Sequence, residues 1–455
     1  MLKKKGFALG VLAVLALAAS FVPALAFAST SPSAAVGTAG PRFFVAQDGV
    51  ALSQFPSRSR LAAAVRVRAT QPVATPGRWR ASSSAAWLSV TPHGRTGQPL
   101  QLTADPMGLA TDTLHTATIT LRGTVGSPVM GSISMRVSLW IGSSDPGNQT
   151  INNDAVSLIA NPVEPWVYVS DGSSNIDVFN VYSGRLVRSF TGVASSVGGM
   201  QTSSDGSELF AVDTTNYRIV ALNAISGRIL KLYALAGPIN SDFNFAYARP
   251  AGVPTLFAPG QAAIDVATGN QVSSPLTGGF FYDPFITSTA DGSHLAIVER
   301  GLSPGSLYSY TVASDNGHLT ITQVNGSSIA GANCPDVAIS PDGSRLYPAC
   351  GWPYEFDVYD FASLEQIQTL TATDYPNNAE FDSDGDFVGG LDGNYNPADV
   401  FVYDVSGFSL GTVPEIEYAQ SQGAALMQIS GDSTRVISGM SNPSGQLMFR
   451  EMPRP

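Results

Sequence analysis

Seven short apolar segments recur along the C-terminal two-thirds of the chain and restrict its fold more than any other feature. WVYV, LFAV, LFAP, LAIV, LYPA, FVGG and RVIS begin at 166, 209, 256, 295, 346, 387 and 435, with spacings of 39 to 51 residues. Most follow a turn signal: SSDG (203–206), RPAG (249–252), TADG (289–292), SPDG (340–343), DSDG (382–385) or SGDS (430–433). Each is followed by a second apolar run, such as NIDVFN (175–180), RIVALN (218–223), EFDVYD (355–360) or QLMFRE (446–451). A third comes next, as in SGRLVRSF (183–190) and SGRILKLY (226–233). With the strand before each Asp-Gly turn, every repeat holds four short strands.

One four-stranded sheet cannot bury both faces by itself. Stacking such sheets around an axis covers the faces and shelters the edges. The expectation is a seven-bladed β-propeller over 154–455. The last repeat runs out after QLMFRE, and the first opens at its innermost strand, DAVSLIA (154–160). A segment within 142–152 is therefore expected to supply the missing outer strand and close the ring. Composition agrees with strands and tight turns. With 45 Gly and 30 Pro the chain is too rich in breakers for a helical bundle, and with 13% charged residues it is unlike a disordered chain.

Residues 42–141 alternate apolar and polar side chains in short runs, including AAVRVRAT (63–70), LQLTA (100–104), TATITLRG (116–123) and SISMRVSLWIG (132–142). Pro and Gly breakers separate them. Period-two alternation of this kind predicts an Ig-like β-sandwich, with Trp79, Trp87 and Trp140 as core or edge anchors. Residues 29–41 and 142–153 read as linkers. Charge divides along the same line. Residues 42–141 hold ten Arg against three Asp, or +7; residues 142–455 hold 11 basic against 32 acidic residues, or −21. The acidic part would repel phosphates, which argues against nucleic acid as a partner.

Two resemblances follow from these residues. Trp166–Val169, Ile176–Phe179, Ala267–Gly269, Ser340–Gly343 and Phe356–Asp360 resemble the YVTN and lactonase-like propeller repeats, over about 300 residues. The resemblance implies the propeller fold. Enzymes of that group use polar residues on the central axis, but no such set maps here residue by residue. In the small domain, Trp87, Leu88, Val90, Pro92, Gly94, Ala117, Ile119 and Leu121 resemble the BACON family of Ig-like bacterial domains. Asp112-Thr113-Leu114 stands where that family carries Gly-Thr-Tyr. The resemblance implies a spacer or a carbohydrate-binding module.

Lys3, Lys4 and Lys5 precede an uncharged stretch from Gly6 to Ala28 that ends in two Ala-x-Ala sites. This is the three-part export signal, so residues 1–28 are expected to be removed. The mature chain is expected outside the cytoplasm (secreted, periplasmic or at the cell surface), with no membrane span and as a monomer. The two cysteines, Cys334 and Cys350, flank a strand–turn–strand centred on Asp342-Gly343 and are expected to form a cross-strand disulfide.

No H-E-x-x-H or P-loop occurs. His294 follows an Asp-Gly-Ser turn and reads as a solvated turn residue rather than a base. Asp382, Asp384 and Asp386 form the densest acidic run and the weak calcium candidate, although their spacing departs from an EF-hand loop. No cofactor is expected. Aromatic and polar residues at sheet edges form the better candidate surface: Trp352, Tyr354 and Glu355; Asp392, Asn394 and Tyr395; and Tyr282 with Asp283. The expected function is a non-enzymatic binding or scaffold protein whose propeller presents a loop face to a protein or carbohydrate. The alternatives are a lactonase-like or other hydrolase using axial residues, and carbohydrate adhesion through the small domain.

Overall fold

The computed structural model describes residues 40–240, 243–277, 283–315, 317–329, 331–392, 400–413, 422–440 and 445–453. Residues 1–28, expected to be an export signal, most of the expected linker at 29–41, Tyr282, Asn394 and Tyr395 lie outside the described residues. Those described are all-β, apart from a 3-10 turn at Pro250–Gly252. No helix among them is long and apolar enough to cross a membrane.

From residue 149 onward the described strands form seven four-stranded antiparallel sheets. Sheet one consists of Ser157–Ala160, Trp166–Ser170, Ile176–Asn180 and Leu186–Phe190 in that order, and the next five follow the same meander. The first strands are Ser157–Ala160, Val197–Thr202, Ala246–Ala248, Pro284–Ser288, Asp336–Ile339, Tyr375–Phe381 and Gln422–Ile429. Each contacts the next, and the seventh contacts the first. This closed circuit is consistent with a β-propeller-like fold. Sheet seven takes its outermost strand from the connector between domains. Gln149–Asn152 pairs with Gln446–Glu451, placing Ile151 opposite Leu447. The Arg450 guanidinium ties this strand down by donating to Gln149 O (2.6 Å) and Thr150 Oγ1 (3.0 Å).

The local sequence explains each repeat. Middle strands such as Glu208–Asp213 and Arg218–Asn223 are covered on both faces by neighbouring sheets, so they read as continuous apolar runs. Outer strands such as Leu186–Phe190 and Gln366–Leu370 are largely exposed. The Asp-Gly turns are built from side-chain bonds. Asp342 Oδ1 accepts the Ser344 N–H (3.0 Å) and the Ser340 hydroxyl (2.7 Å), while Ser340 Oγ accepts the Arg345 N–H (3.0 Å). Gly343 sits at φ +79°, and a Cβ there would stand 2.7 Å from His294 Nδ1. The disulfide Cys334–Cys350 closes this hairpin just beyond its last ladder pair, Asp336 with Ala349.

The N-terminal part has a six-stranded sheet ordered Ser59–Arg60, Gly49–Gln54, Ser132–Ile141, Thr113–Gly123, Arg78–Ser83 and His93–Arg95. A three-stranded sheet of Ala62–Arg66, Pro99–Ala104 and Leu88–Val90 shares its core. Trp79 is at the centre of that core, and Trp87 packs at its margin. Trp140 faces the other way, its ring 5.5 Å from that of Tyr182 in the connection after the third strand of sheet one.

This small domain sits on the end of the ring that carries the Asp-Gly turns. Arg60 pairs with Asp384 (2.6 Å) in the turn of sheet six, and Arg68 with Asp291 in that of sheet four. Asp48 pairs with Arg249 in the turn of sheet three and accepts from Ser204 Oγ (2.6 Å) in that of sheet two. Arg136 reaches Glu164 (2.8 Å) after the first strand of sheet one, and Arg58 donates to Ser433 O (3.3 Å) in the turn of sheet seven. The +7 charge of residues 42–141 is thus partly spent on the acidic turns of the chain's own ring.

Candidate functional site

The first strands surround a cavity of about 500 Å³ beneath the small domain, whose Gln47 contributes to the lining. Its size is within the range of small-molecule sites. No Lys, Arg or His is among the described lining residues, whereas four carboxylates are: Asp336, Glu380, Asp382 and Asp384.

Asp336 opens the first strand of sheet five, and Glu380 lies near the end of the first strand of sheet six. Asp336 Oδ1 accepts the Val337 N–H (2.8 Å), and Oδ2 accepts the Ala379 N–H (2.9 Å). Burial nevertheless pushes its carboxyl up to about 6, against the pull of these bonds and of Arg300. Burial and the charge of Asp336 push Glu380 well above the usual carboxylate range. Gln428 Nε2 donates to Glu380 Oε1 (2.6 Å), while Gln428 Oε1 accepts the Ala160 N–H (3.3 Å). Gln428 therefore links sheets seven, six and one across the cavity. Both carboxyls therefore keep their protons to higher pH than ordinary carboxylates, and the polar lining suits a hydroxylated ligand.

The aromatic candidates lie at the opposite end of the ring, where the first strands begin. Trp352 (56% exposed) and Tyr354 (48% exposed) meet edge to face at 5.6 Å. Tyr354 is 6.1 Å from Tyr375, whose hydroxyl accepts from Asn333 Nδ2 (2.8 Å). Tyr354 has φ +74°, a left-handed conformation that is costly for a bulky residue and that clusters at functional sites. Glu355 is half-buried beside this pair in the chain. Asp392 ends the second strand of sheet six, opposite Tyr375 in register, and its Oδ1 is buried without a hydrogen-bond partner. Asp283 is engaged elsewhere, accepting from Arg300 (2.8 Å) and Asn240 Nδ2 (2.9 Å).

The acidic run serves the ring's own structure. Asp382 Oδ1 accepts the N–H groups of Asp384 and Asp386 (both 2.9 Å), and Asp384 holds Arg60. Among the described residues no three His, Cys, Asp or Glu gather closely enough to hold a metal ion. His294, expected to be solvated, instead packs edge-on against Phe361 at 4.6 Å, and burial lowers its pKa.

Sequence reasoning missed Asp336, Glu380 and Gln428. The available signal was a carboxylate inside the apolar first-strand runs DVAI (336–339) and NNAEF (377–381). No family model matches the chain. Comparison with the curated proteins finds no match.

Proposed function

We propose that this is an exported binding protein: a seven-bladed β-propeller with an Ig-like, BACON-like domain at its N-terminus, related to the YVTN and lactonase-like repeats. Its free face, around Trp352 and Tyr354, engages a carbohydrate or protein partner. Seven four-stranded sheets in a closed circuit support the blade number. The basic-apolar leader and the disulfide support export.

One observation carries the reading. The chain's own small domain covers the turn end of the ring, while the other end offers two exposed aromatic rings that no core requires. Affinity electrophoresis of the mature chain through gels containing bacterial and plant polysaccharides tests the glycan arm, and crosslinking from position 354 tests the protein arm. Retardation or crosslinking that disappears in Trp352→Ala is the expected result. Binding that persists in Trp352→Ala and in Tyr354→Ala refutes the face.

A second reading, a hydrolase acting in the axial cavity, is favoured by the Asp336–Glu380 pair. A carboxyl that keeps its proton near neutral pH can act as a general acid. Turnover of lactone, ester or glycoside substrates that is lost in Glu380→Gln would establish it; no turnover with any of these classes would remove it.

A further inference from the structure

The small domain meets the ring through two chemically different halves. Over sheets one and seven the contact has an apolar centre, flanked by the ion pairs Arg136 with Glu164 (2.8 Å) and Arg58 with Glu451 (3.7 Å). Phe55 stacks edge to face on Tyr182 at 4.9 Å, Trp140 lies on the same ring, and Phe55 joins a buried cluster with Val181, Ile437 and Phe449. The connector leaves from this same place. Gly142 passes so close beneath Phe55 that a Cβ would stand 2.4 Å from its ring. Over sheets three, four and six the polar ties are ion pairs: Asp48 with Arg249, Arg68 with Asp291 and Arg60 with Asp384. The Asp384 side chain is about half exposed (51%) and that of Arg68 more than a third (37%), so salt can reach these two pairs, whereas Arg249 and Asp48 are largely buried and screened less. Phe44 against Gly252 is a small apolar contact on this side. The turn of sheet five, Ser340–Ser344, makes no hydrogen bond or ion pair to the small domain among the described residues, and its Pro341 lines the cavity.

We propose that the small domain is a lid on the axial cavity, hinged at the apolar contact over sheets one and seven and latched by ion pairs over sheets three, four and six. Burial of Phe55 and Trp140 does not weaken as salt rises, whereas exposed charge pairs are screened once the Debye length falls to about 3 Å near 1 M salt. Rising ionic strength therefore weakens the ties over sheets four and six most, while the apolar centre around Phe55 and Tyr182 holds. The connector enters sheet seven as the strand Gln149–Asn152, so the domain stays tethered while it swings. The lid does not depend on the aromatic face at the other end, and either can fail without the other.

Gln201 lines the cavity from the first strand of sheet two, and the chain's two native cysteines are joined in the disulfide. Gln201→Cys in the mature chain thus adds a single thiol beneath the lid. A maleimide carrying a polyethylene glycol of about 5 kDa is far too large for a small-molecule cavity and reads lid opening. The expected result is slow labelling in 50 mM NaCl and at least tenfold faster labelling in 1 M NaCl, with no change in far-UV circular dichroism. Arg60→Glu with Arg68→Glu should label fast already in 50 mM NaCl. Arg60→Glu alone should also label faster in 50 mM NaCl, and adding Asp384→Arg to it should restore slow labelling, which a merely damaged fold would not do. Labelling that is slow and indifferent to salt in the unreversed protein overturns the lid. So does fast labelling in every condition, or exposure that appears only with loss of secondary structure.

Discussion

Replacing Glu380 with Gln will stabilise the protein at pH 7.5 and leave it almost unchanged at pH 4.5. Burial and the negative charge of Asp336 hold the Glu380 proton on well above the ordinary value of 4.5. Folding therefore takes up a proton that the unfolded chain releases. The favourable contribution of the protonated group is fully present below pH 4.5 and is lost as pH rises toward the folded value. Between those limits one proton separates the two states, which corresponds to about 1.4 kcal/mol per pH unit. The ceiling at pH 7.5 is about 4 kcal/mol, three pH units above the ordinary value. Gln keeps an Oε1 to accept from Gln428 Nε2 and has no proton to lose. Asp336 titrates in both proteins, and because it is coupled to Glu380 the difference reports the ionisation of the pair. Urea unfolding of both proteins at pH 4.5, 5.5, 6.5 and 7.5 measures the gap. A gap that widens with pH in favour of Gln is expected. A constant gap, or a Gln variant that is the weaker at pH 7.5, would refute the account of a desolvated axial pair.

Two further perturbations probe the ring. Replacing Cys334 and Cys350 with Ser removes a crosslink spanning 16 residues and will cost about 3 kcal/mol. Calorimetry with and without reductant checks it: reductant should lower the Tm of the parent but not of the variant. Ile151→Asp puts a carboxylate into the packing around Leu447 and Phe449 and will cost at least about 2 kcal/mol by detaching the closing strand. An unchanged Tm in that variant would show that Gln149–Asn152 does not hold sheet seven.

Much of the ring was legible because its causes are local. A strand covered on both faces must be apolar throughout, so WVYV, LFAV and LAIV stand out without any knowledge of their neighbours. The turns between first and second strands are built within five or six residues by Asp and Ser side chains, as at Ser340–Arg345. The hairpin around Asp342-Gly343 likewise brought Cys334 and Cys350 together. Trp140 was less legible. A Trp in an alternating strand looks the same whether it faces its own core or, as here, Tyr182 of another sheet. His294 was misjudged because the ring it packs against, Phe361, belongs to the following sheet.

The axial site lies at the far end of that scale. Asp336, Glu380 and Gln428 are separated by 44 and 48 residues and converge only because the circuit of first strands closes. The perturbed acidity of the first two comes from that closure, since burial cannot act on a carboxyl before the cavity around it exists. The same holds for the charge imbalance between the two parts of the chain. Its sign and size were plain from the count of Arg and Asp, but nothing in the linear order paired Arg60 with Asp384 or Arg68 with Asp291. The amino-acid order by itself settled the strands, their turns and the disulfide, because those depend on hydrogen bonds and burial within one repeat. Which charges meet, which carboxyls lose water and which end of the ring the small domain covers were decided only when distant repeats came into contact, because Coulomb and desolvation energies depend on distances in space rather than along the chain.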